Sequence, residues 1–179
     1  EGMEGALKRL QVEYVDLVVC HRPDPLTPTE TVVRAMTDLV RNGKAMAWGT
    51  SDWSAQQITE AIWIARHMKM EPPAFEQPQY NMYTRDKIES EYTPLFLPPY
   101  NLGTTIWSPL AGGLLTGKYN EGVPGHCRFA SHECKACCKC NLEEWRATGK
   151  TETVTRLTEY ANDKLGCSMT QLAIAWCIK

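Results

Sequence analysis

The feature that most constrains this chain is an alternation of strand and helix that repeats about every 30 residues. Short apolar or branched runs begin near residues 15, 45, 74 and 104, and helical patterns separate them. Helical crossovers make consecutive strands parallel neighbours with right-handed connections. Four such units amount to half of a (β/α)₈ TIM barrel, which typically takes about 250 residues. The periodicity therefore predicts an α/β fold with a parallel sheet, in a number of units equal to half of such a barrel.

The pattern also predicts where the elements lie. Strands are expected at four short runs: 15–20, 45–51, 74–78 and 104–108. Helices are expected at six segments: from Met3 to Leu10, after a cap at Thr29, after a cap at Ser54, from Arg85 to Phe96, from Thr151 to a stop at Gly166, and after a cap at Ser168 or Thr170. The first strand is expected to be covered on both faces, and the apolar last helix to be buried. Residues 109–150 have no clear period and are expected to form a long functional loop.

The first strand ends in a polar cluster that contains His21 and Arg22. Pro23 and Pro25 end the strand and begin a loop. Ionisable groups at the carboxyl end of a buried parallel strand lie where α/β enzymes place their chemistry. His21 is therefore a candidate catalytic residue; the alternative is a histidine that only satisfies its hydrogen bonds at a strand end.

Composition excludes several classes of function. The chain is 43% hydrophobic and 22% charged with a net charge of −2, which is ordinary for a globular protein and gives no electrostatic case for binding nucleic acid or an anionic membrane. No apolar run approaches the roughly 20 residues of a membrane span. Four of the eight cysteines are scattered along the chain, which is typical of reduced proteins. We therefore expect a cytoplasmic protein that does not bind nucleic acid.

Five motifs together resemble one protein family. They occur in the order HRPDP, WGTSDWS, EQPQYN, WSPLAGGLLTGKY and LGCSMTQLAIAWC. The same motifs, in this order, are found in the aldo-keto reductases, and the chain is most similar to the subgroup that contains the voltage-gated potassium channel beta subunits, particularly plant-like members. The resemblance covers nearly all of 1–179 except about 126–145.

The resemblance implies a (β/α)₈ barrel that binds NADP(H) at its carboxyl-terminal mouth. Residues 1–179 would hold strands four to seven, truncated at both ends, and 109–150 would be a cofactor-covering loop with a Cys-rich insert. The family reduces carbonyls with an Asp, Tyr, Lys and His tetrad, of which only the His has a counterpart here, His21. The other three members would lie upstream of Glu1, so residues 1–179 alone are expected to be inactive.

Cofactor ligands also follow from the resemblance. Ser51 and Gln77 match ligands of the nicotinamide carboxamide, and both side chains can donate and accept hydrogen bonds. Lys118 matches a lysine that contacts the diphosphate, and Arg128 an arginine of the lid loop. One further stretch matches residues that line the cofactor: Trp107, Ser108, Pro109, Leu110 and Ala111.

Two functions are compatible with this resemblance. The first is an NADP-dependent oxidoreductase that transfers hydride between nicotinamide and a small-molecule aldehyde or ketone. The alternative is a regulatory subunit, arranged as a homotetramer, that binds a voltage-gated potassium channel alpha subunit and uses NADP(H) as a redox-sensing ligand with little turnover.

Two further motifs point to nucleotide triphosphate binding and to zinc binding, but each departs from the usual pattern of its class. Gly112 to Lys118 fits the P-loop pattern G-x-x-x-x-G-K, but Tyr119 stands where magnesium ligation needs Ser or Thr. Cys134, Cys137, Cys138 and Cys140 could hold zinc, but structural sites usually pair two separate C-x-x-C knuckles. We predict no metal site; a diverged lid, or an error in the predicted sequence, explains the cysteine cluster better.

Overall fold

The computed structural model describes residues 2–125 and 142–178. Four strands form one parallel sheet in chain order, β1–β2–β3–β4. Their bounds are β1 Val15–Cys20, β2 Ala45–Thr50, β3 Phe75–Glu76 and β4 Gly103–Thr104. The first three helices are α1 Gly2–Leu10, α2 Thr29–Arg41 and α3 Ala55–His67. The helices α2 and α3 connect successive strands, so the predicted α/β fold with a parallel sheet is confirmed.

The remaining elements are shorter and less regular. A π-helical turn at Lys87–Glu91 and a 3₁₀ turn at Thr93–Phe96 connect β3 to β4. After β4 follow a 3₁₀ turn and three helices with a π-helical turn between the last two: Ala111–Thr116, α4 Leu142–Ala147, α5 Lys150–Tyr160, the π turn Ala161–Leu165 and α6 Met169–Ile178. The chain divides into two compact units. The first unit comprises residues 1–79 and 85–107, and the second comprises residues 80–84 and 108–179.

Local sequence explains where several helices begin and end. Ser54 caps α3 in a capping box, because its side chain accepts from the backbone of Gln57 while the Gln57 side chain accepts from the Ser54 N–H. Ser168 forms the same reciprocal pair with Gln171 before α6. The predicted cap at Thr29 is wrong: Pro28 occupies the cap position without a side-chain bond, and Thr29 is the first helical residue. Proline is well suited to a helix start because its missing N–H would have no helical partner.

Each unit has its own apolar core. In the first unit, residues of β2, α2 and α3 pack with the segment before β4, and the buried residues of α3 are Ile58, Ala61, Ile62 and Ala65. In the second unit the core combines the 3₁₀ turn, α4, α5 and α6: Leu114, Leu115, Tyr119, Trp145, Val154, Met169 and Ala173.

Two burial predictions are wrong. Among residues 2–125 and 142–178 the strand β1 pairs only with β2, and Leu17 remains 49% exposed because Val18 and Cys20 are the β1 residues that pack on the core. Within α6 only Met169 and Ala173 are buried, whereas Ile174 is 41% exposed. An apolar sequence gives helix α6 no preferred face, so its packing partners decide which side is buried. Leu165, at the end of the π turn, is 49% exposed.

Three element boundaries also differ from the prediction. The strand β4 begins at Gly103 and ends at Thr104, earlier than the predicted 104–108, although a bridge between Gln79 and Trp107 continues the pairing. The predicted helix 85–96 is divided into π and 3₁₀ turns, with Pro94 in the 3₁₀ turn, because proline cannot donate the helical hydrogen bond. Helix α4 lies inside the predicted loop 109–150. Within the described ranges, no helix combines the length and the apolar character needed to cross a membrane.

Candidate active site

The carboxyl ends of the four strands are in register. The last paired residue of each strand lies opposite the last of its neighbour: Cys20, Thr50, Glu76 and Thr104. The next residue of each strand forms what we call the edge row: His21, Ser51, Gln77 and Thr105. Backbone bonds hold this row, since the N–H of Ser51 donates to the Cys20 carbonyl at 3.1 Å and that of Gln77 to the Thr50 carbonyl at 2.8 Å. Three predicted site residues therefore lie on successive strands at one level of the sheet.

Ser51 and Gln77 contact each other directly. Ser51 is buried, and its hydroxyl donates to the Gln77 carbonyl oxygen at 2.8 Å. The Gln77 Nε2 donates to Thr105 Oγ1 at 3.2 Å. Ser51 Oγ therefore keeps lone pairs that can accept, and the Gln77 amide keeps its oxygen and a second N–H. This donor set fits a carboxamide, which must both donate and accept.

His21 is exposed at the end of β1. No hydrogen bond to its side chain is found among residues 2–125 and 142–178, so the imidazole can turn toward a ligand. The next residue, Arg22, forms an ion pair with Asp52 at 3.0 Å. Asp52 has a left-handed backbone with φ 59°, a conformation that Asp tolerates better than most residues. The ion pair joins the loop that follows His21 to the turn that follows Ser51.

A buried carboxylate lies directly before Gln77. Glu76 is fully buried, and its Oε2 accepts a short hydrogen bond from the Thr50 hydroxyl. Its Oε1 has no partner of regular geometry within the described residues, although the N–H groups of Asp52 and Trp53 lie close enough to favour the ionised form. Burial is the larger effect and raises the pKa of Glu76. Sequence reasoning missed this residue; an acid inside the predicted strand 74–78 was the available signal.

The turn that follows Ser51 is also held by the segment after β3. Lys87 Nζ donates to the carbonyls of Asp52 at 3.1 Å and Trp53 at 3.3 Å. The Tyr92 hydroxyl donates a short bond to the same Trp53 carbonyl. Burial, reinforced by the charge of Glu76, raises the pKa of Tyr92, so the phenol stays protonated and keeps its role as donor. The backbone of this turn is therefore fixed on several sides.

Trp107 extends the fourth strand past its paired residues. Its N–H donates to the Pro78 carbonyl at 3.0 Å, and it forms the isolated bridge with Gln79. The bridge holds the main chain of Trp107 against the segment that follows Gln77. The structure therefore connects this predicted site residue to the edge row through the backbone of the 77–79 segment.

The predicted cofactor-lining stretch continues in the second unit as a strained loop. Ser108 and Ala111 have left-handed backbones, with φ 57° and 48°, and such conformations in non-glycine residues cluster at binding sites. Asn81 holds the loop: it is buried, and its Nδ2 donates to the Ser108 carbonyl at 3.0 Å. Its Oδ1 accepts from the N–H groups of Tyr83 and Thr84, each at 3.0 Å. The EQPQYN motif contained Asn81, but no pattern in the sequence indicated this role.

Lys118 is exposed and lies against a glycine turn of the same unit. A Cβ added at Gly113, whose φ is 101°, would lie 3.0 Å from Lys118 Cε. Glycine therefore leaves the room that the lysine stem occupies. The P-loop interpretation is wrong, because no helix begins at Lys118 in the described stretch 117–125, whereas a P-loop leads into a helix. Arg128 and the cluster from Cys134 to Cys140 lie outside the described residues.

Comparison with known proteins identifies the family. Residues 2–179 match the model of the Aldo/keto reductase family, and the chain belongs to this family, as the five motifs predicted. It is 50% identical over 179 residues to a protein of Oryza sativa subsp. japonica and 47% identical over 178 residues to one of Arabidopsis thaliana. Both carry the name "Probable voltage-gated potassium channel subunit beta". Each alignment covers 99% of this chain and 52% of the relative, so the chain spans about half the length of these relatives.

A solved structure supports the fold. The glycerol dehydrogenase of Gluconobacter oxydans superposes with a TM-score of 0.74 at 28% identity, over 98% of this chain and 50% of that one. A parallel α/β sheet that matches half of an aldo-keto reductase is what a partial (β/α)₈ barrel requires, and this prediction is confirmed. Family match and structural neighbour together support the same fold.

Proposed function

We propose that this chain supplies the cofactor-binding and substrate-orienting part of an NADP(H)-dependent aldo-keto reductase. The single observation that carries the proposal is the edge row, in which His21, Ser51 and Gln77 follow three successive parallel strands at one level. When bound, NADPH supplies the hydride for reduction of an aldehyde or ketone. Family membership supports the oxidoreductase class, and the edge row supports the assignment of roles.

Each candidate residue has a role that its chemistry allows. Ser51 accepts from the carboxamide N–H, because its own proton is already donated to the Gln77 carbonyl. Gln77 donates its free N–H to the carboxamide oxygen. Main-chain groups at Ser108 to Ala111, where the backbone is strained, are proposed to bind the cofactor, and Lys118 is proposed to contact its diphosphate as a point charge. Trp107, Pro109, Leu110 and Arg128 are proposed to line or cover the cofactor, with 109–150 as the covering loop.

His21 is proposed to act on the substrate. A neutral imidazole donates one hydrogen bond, and a donor aimed at a carbonyl oxygen stabilises the negative charge that develops there during reduction. The tyrosine that donates the proton in this family has no counterpart in residues 1–179. We therefore propose that residues 1–179 produced alone bind cofactor but do not turn over substrate.

Cofactor titration tests the proposal. NADPH added to the purified chain should give saturable quenching of tryptophan fluorescence and an enhanced nicotinamide emission, and NADH should bind more weakly. Ser51→Ala should weaken NADPH binding, whereas Glu71→Gln, a half-exposed carboxylate paired with Arg41, should not. Absence of NADPH binding by a folded chain would refute the proposal.

A second function is favoured by the names of the plant relatives. Both are named for a potassium channel beta subunit, at 50% and 47% identity. In this reading the protein forms a cytoplasmic homotetramer that binds a channel alpha subunit and retains NADP(H) as a redox sensor. Turnover separates the two functions: a regulatory subunit keeps bound NADPH in the presence of aldehydes, whereas a reductase oxidises it with multiple turnovers. The measurement requires the protein together with any residues that normally accompany 1–179.

A further inference from the structure

We infer that Glu76 is a positioning residue that fixes Ser51 for the nicotinamide carboxamide. The inference rests on the proposed function for its ligand, but its geometry is independent of any ligand. Glu76 precedes Gln77 on β3, and its carboxylate reaches across to the preceding strand, where Thr50 precedes Ser51. One side chain thus connects the two strands that carry both proposed carboxamide ligands.

The first step of the argument is the bond between Thr50 and Glu76. Both side chains are buried, with 0% exposure, and the Thr50 hydroxyl donates to Glu76 Oε2. Water cannot replace either partner at such a site, so loss of one leaves the other without a hydrogen bond. A second link between the same two strands is the backbone hydrogen bond from the Gln77 N–H to the Thr50 carbonyl, at 2.8 Å.

The second step concerns the turn after Ser51. The N–H groups of Asp52 and Trp53 lie near Glu76 and favour its ionised form, although Glu76 Oε1 forms no hydrogen bond of regular geometry within the described residues. Lys87 Nζ donates hydrogen bonds to the carbonyl oxygens of the same two residues. The Lys87 ammonium group thus holds the turn backbone through two hydrogen bonds, and the buried Glu76 carboxylate lies beside the same turn, bonded to Thr50. Because Asp52 has the unfavourable φ of 59°, the turn needs such support to keep its conformation.

The third step links the turn to ligand binding. The Ser51 hydroxyl has one proton, which is donated to the Gln77 carbonyl at 2.8 Å. A change in the turn would break this bond and free the hydroxyl to rotate, so that its lone pairs would no longer face one fixed direction. A carboxamide would then lose an oriented acceptor, while the adenosine and diphosphate parts of the cofactor would keep their own contacts. Glu76 should therefore affect recognition of the nicotinamide end alone.

Hydrogen exchange tests the positioning without a ligand. In Thr50→Val, which keeps the volume but removes the hydroxyl, and in Glu76→Ala, the amides of residues 51–53 and Gln77 should exchange about tenfold faster. Exchange at Ala45 and Ala47, at the far end of β2, should not change. Glu76→Gln keeps an acceptor for Thr50 and should restore most of the protection. The controls are Glu71→Gln and Thr59→Val, which carry the same substitutions elsewhere in the first unit.

Affinity measurements test the functional part. In Thr50→Val the dissociation constant for NADPH should rise about tenfold, while that for 2′-phospho-ADP-ribose, which lacks the nicotinamide, should stay constant. Equal weakening of both ligands, or faster exchange throughout the first unit, would overturn the inference, because Glu76 would then support stability only. Unchanged exchange at residues 51–53 would also overturn it. If the wild-type chain binds neither ligand but the local exchange result holds, the proposed function fails and the positioning of Ser51 by Glu76 stands.

Discussion

The Ser51 hydroxyl and the Gln77 carbonyl oxygen are 2.8 Å apart, and the bond between them uses the only proton of the hydroxyl. Ser51 can therefore act toward a ligand only as an acceptor, which leaves Gln77 as the residue of the pair that donates. This division of roles follows from hydrogen positions that the backbone fixes, since the Gln77 carbonyl is part of the strand end. Loss of the Ser51 hydroxyl should therefore remove an acceptor and weaken ligand binding.

Ser51→Ala should weaken NADPH binding about fivefold, which corresponds to loss of one hydrogen bond worth about 1 kcal/mol. The change also leaves the Gln77 carbonyl without its donor, so a modest loss of stability is expected. Ser54→Ala is the matched control: it removes the capping box of α3 and should cost about 1 kcal/mol of stability without a change in affinity. Titration of both variants with NADPH checks the prediction; equal affinities would exclude Ser51 from the cofactor site.

His21→Asn should preserve NADPH affinity and lower kcat of the protein with its complete tetrad. Loss of a donor to a developing oxyanion costs on the order of 3 kcal/mol, and Asn keeps one donor, so the effect should be smaller. His67→Asn, an exposed histidine at the end of α3, is the control and should leave both quantities unchanged. If His21→Asn abolishes cofactor binding while kcat survives, the assignment of His21 to the substrate is wrong.

Glu76 should make stability depend on pH. Burial raises the pKa of its carboxyl, so the folded protein holds this proton more tightly than the unfolded chain does. Its contribution to the free energy of unfolding is then most favourable below the unfolded pKa of about 4.3, and it declines as pH rises through the folded pKa. Glu76→Gln removes the titration, so the variant should gain stability relative to wild type as pH increases. Urea unfolding of both proteins between pH 4 and 8 measures the difference in free energy of unfolding between variant and wild type. If the advantage of Glu76→Gln over wild type grows toward acid pH instead, the prediction is wrong.

Asn81→Ala should destabilise the second unit by about 1–3 kcal/mol, because it leaves three backbone groups without their side-chain partner. The loop at Ser108 to Ala111 should lose its protection against hydrogen exchange. Asn42→Ala, at the exposed end of α2, is the control and should change stability by less than about 0.5 kcal/mol. Unchanged exchange at Ser108 would show that Asn81 does not hold the loop.

Gly49→Ala should be one of the most damaging single changes in the first unit. An added Cβ would lie 2.5 Å from the Phe75 carbonyl oxygen and 2.6 Å from its ring, and the backbone of β3 cannot move away without breaking its pairing. A cost of about 3 kcal/mol is expected. Gly103→Ala has its nearest neighbour at 3.4 Å and should be tolerated. The two melting temperatures, measured side by side, decide whether the distance to β3 sets the cost.

The position of His21 at the carboxyl end of a parallel strand could be predicted from sequence, whereas Ser51 and Gln77 were identified only through the family resemblance. The cap at Ser54 could be predicted because capping depends on residues three apart. The bond of Glu76 to Thr50 and that of Asn81 to Ser108 could not, since these partners lie 26 and 27 residues away along the chain. The hydrophobic periodicity of an element indicates which of its faces is buried, but it does not identify the residues that the buried face contacts. The exposure of Ile174 has the same origin, because an apolar helix does not specify its own face.

The pairing of Thr50 with Glu76 sets a limit on how the chain can change in length. Side chains alternate between the two faces of a strand, so deletion of one residue within β2 would bring Ser51 into the place of Thr50 and turn its hydroxyl away from Gln77. A deletion in the segment between α3 and β3, residues 68–74, could be absorbed by the loop without altering the row. Changes of length within the strands should therefore be tolerated much less well than changes of length in the loops. Descendants of this sequence should vary freely in the length of their loops while the spacing from the strand starts to Ser51 and Gln77 stays constant.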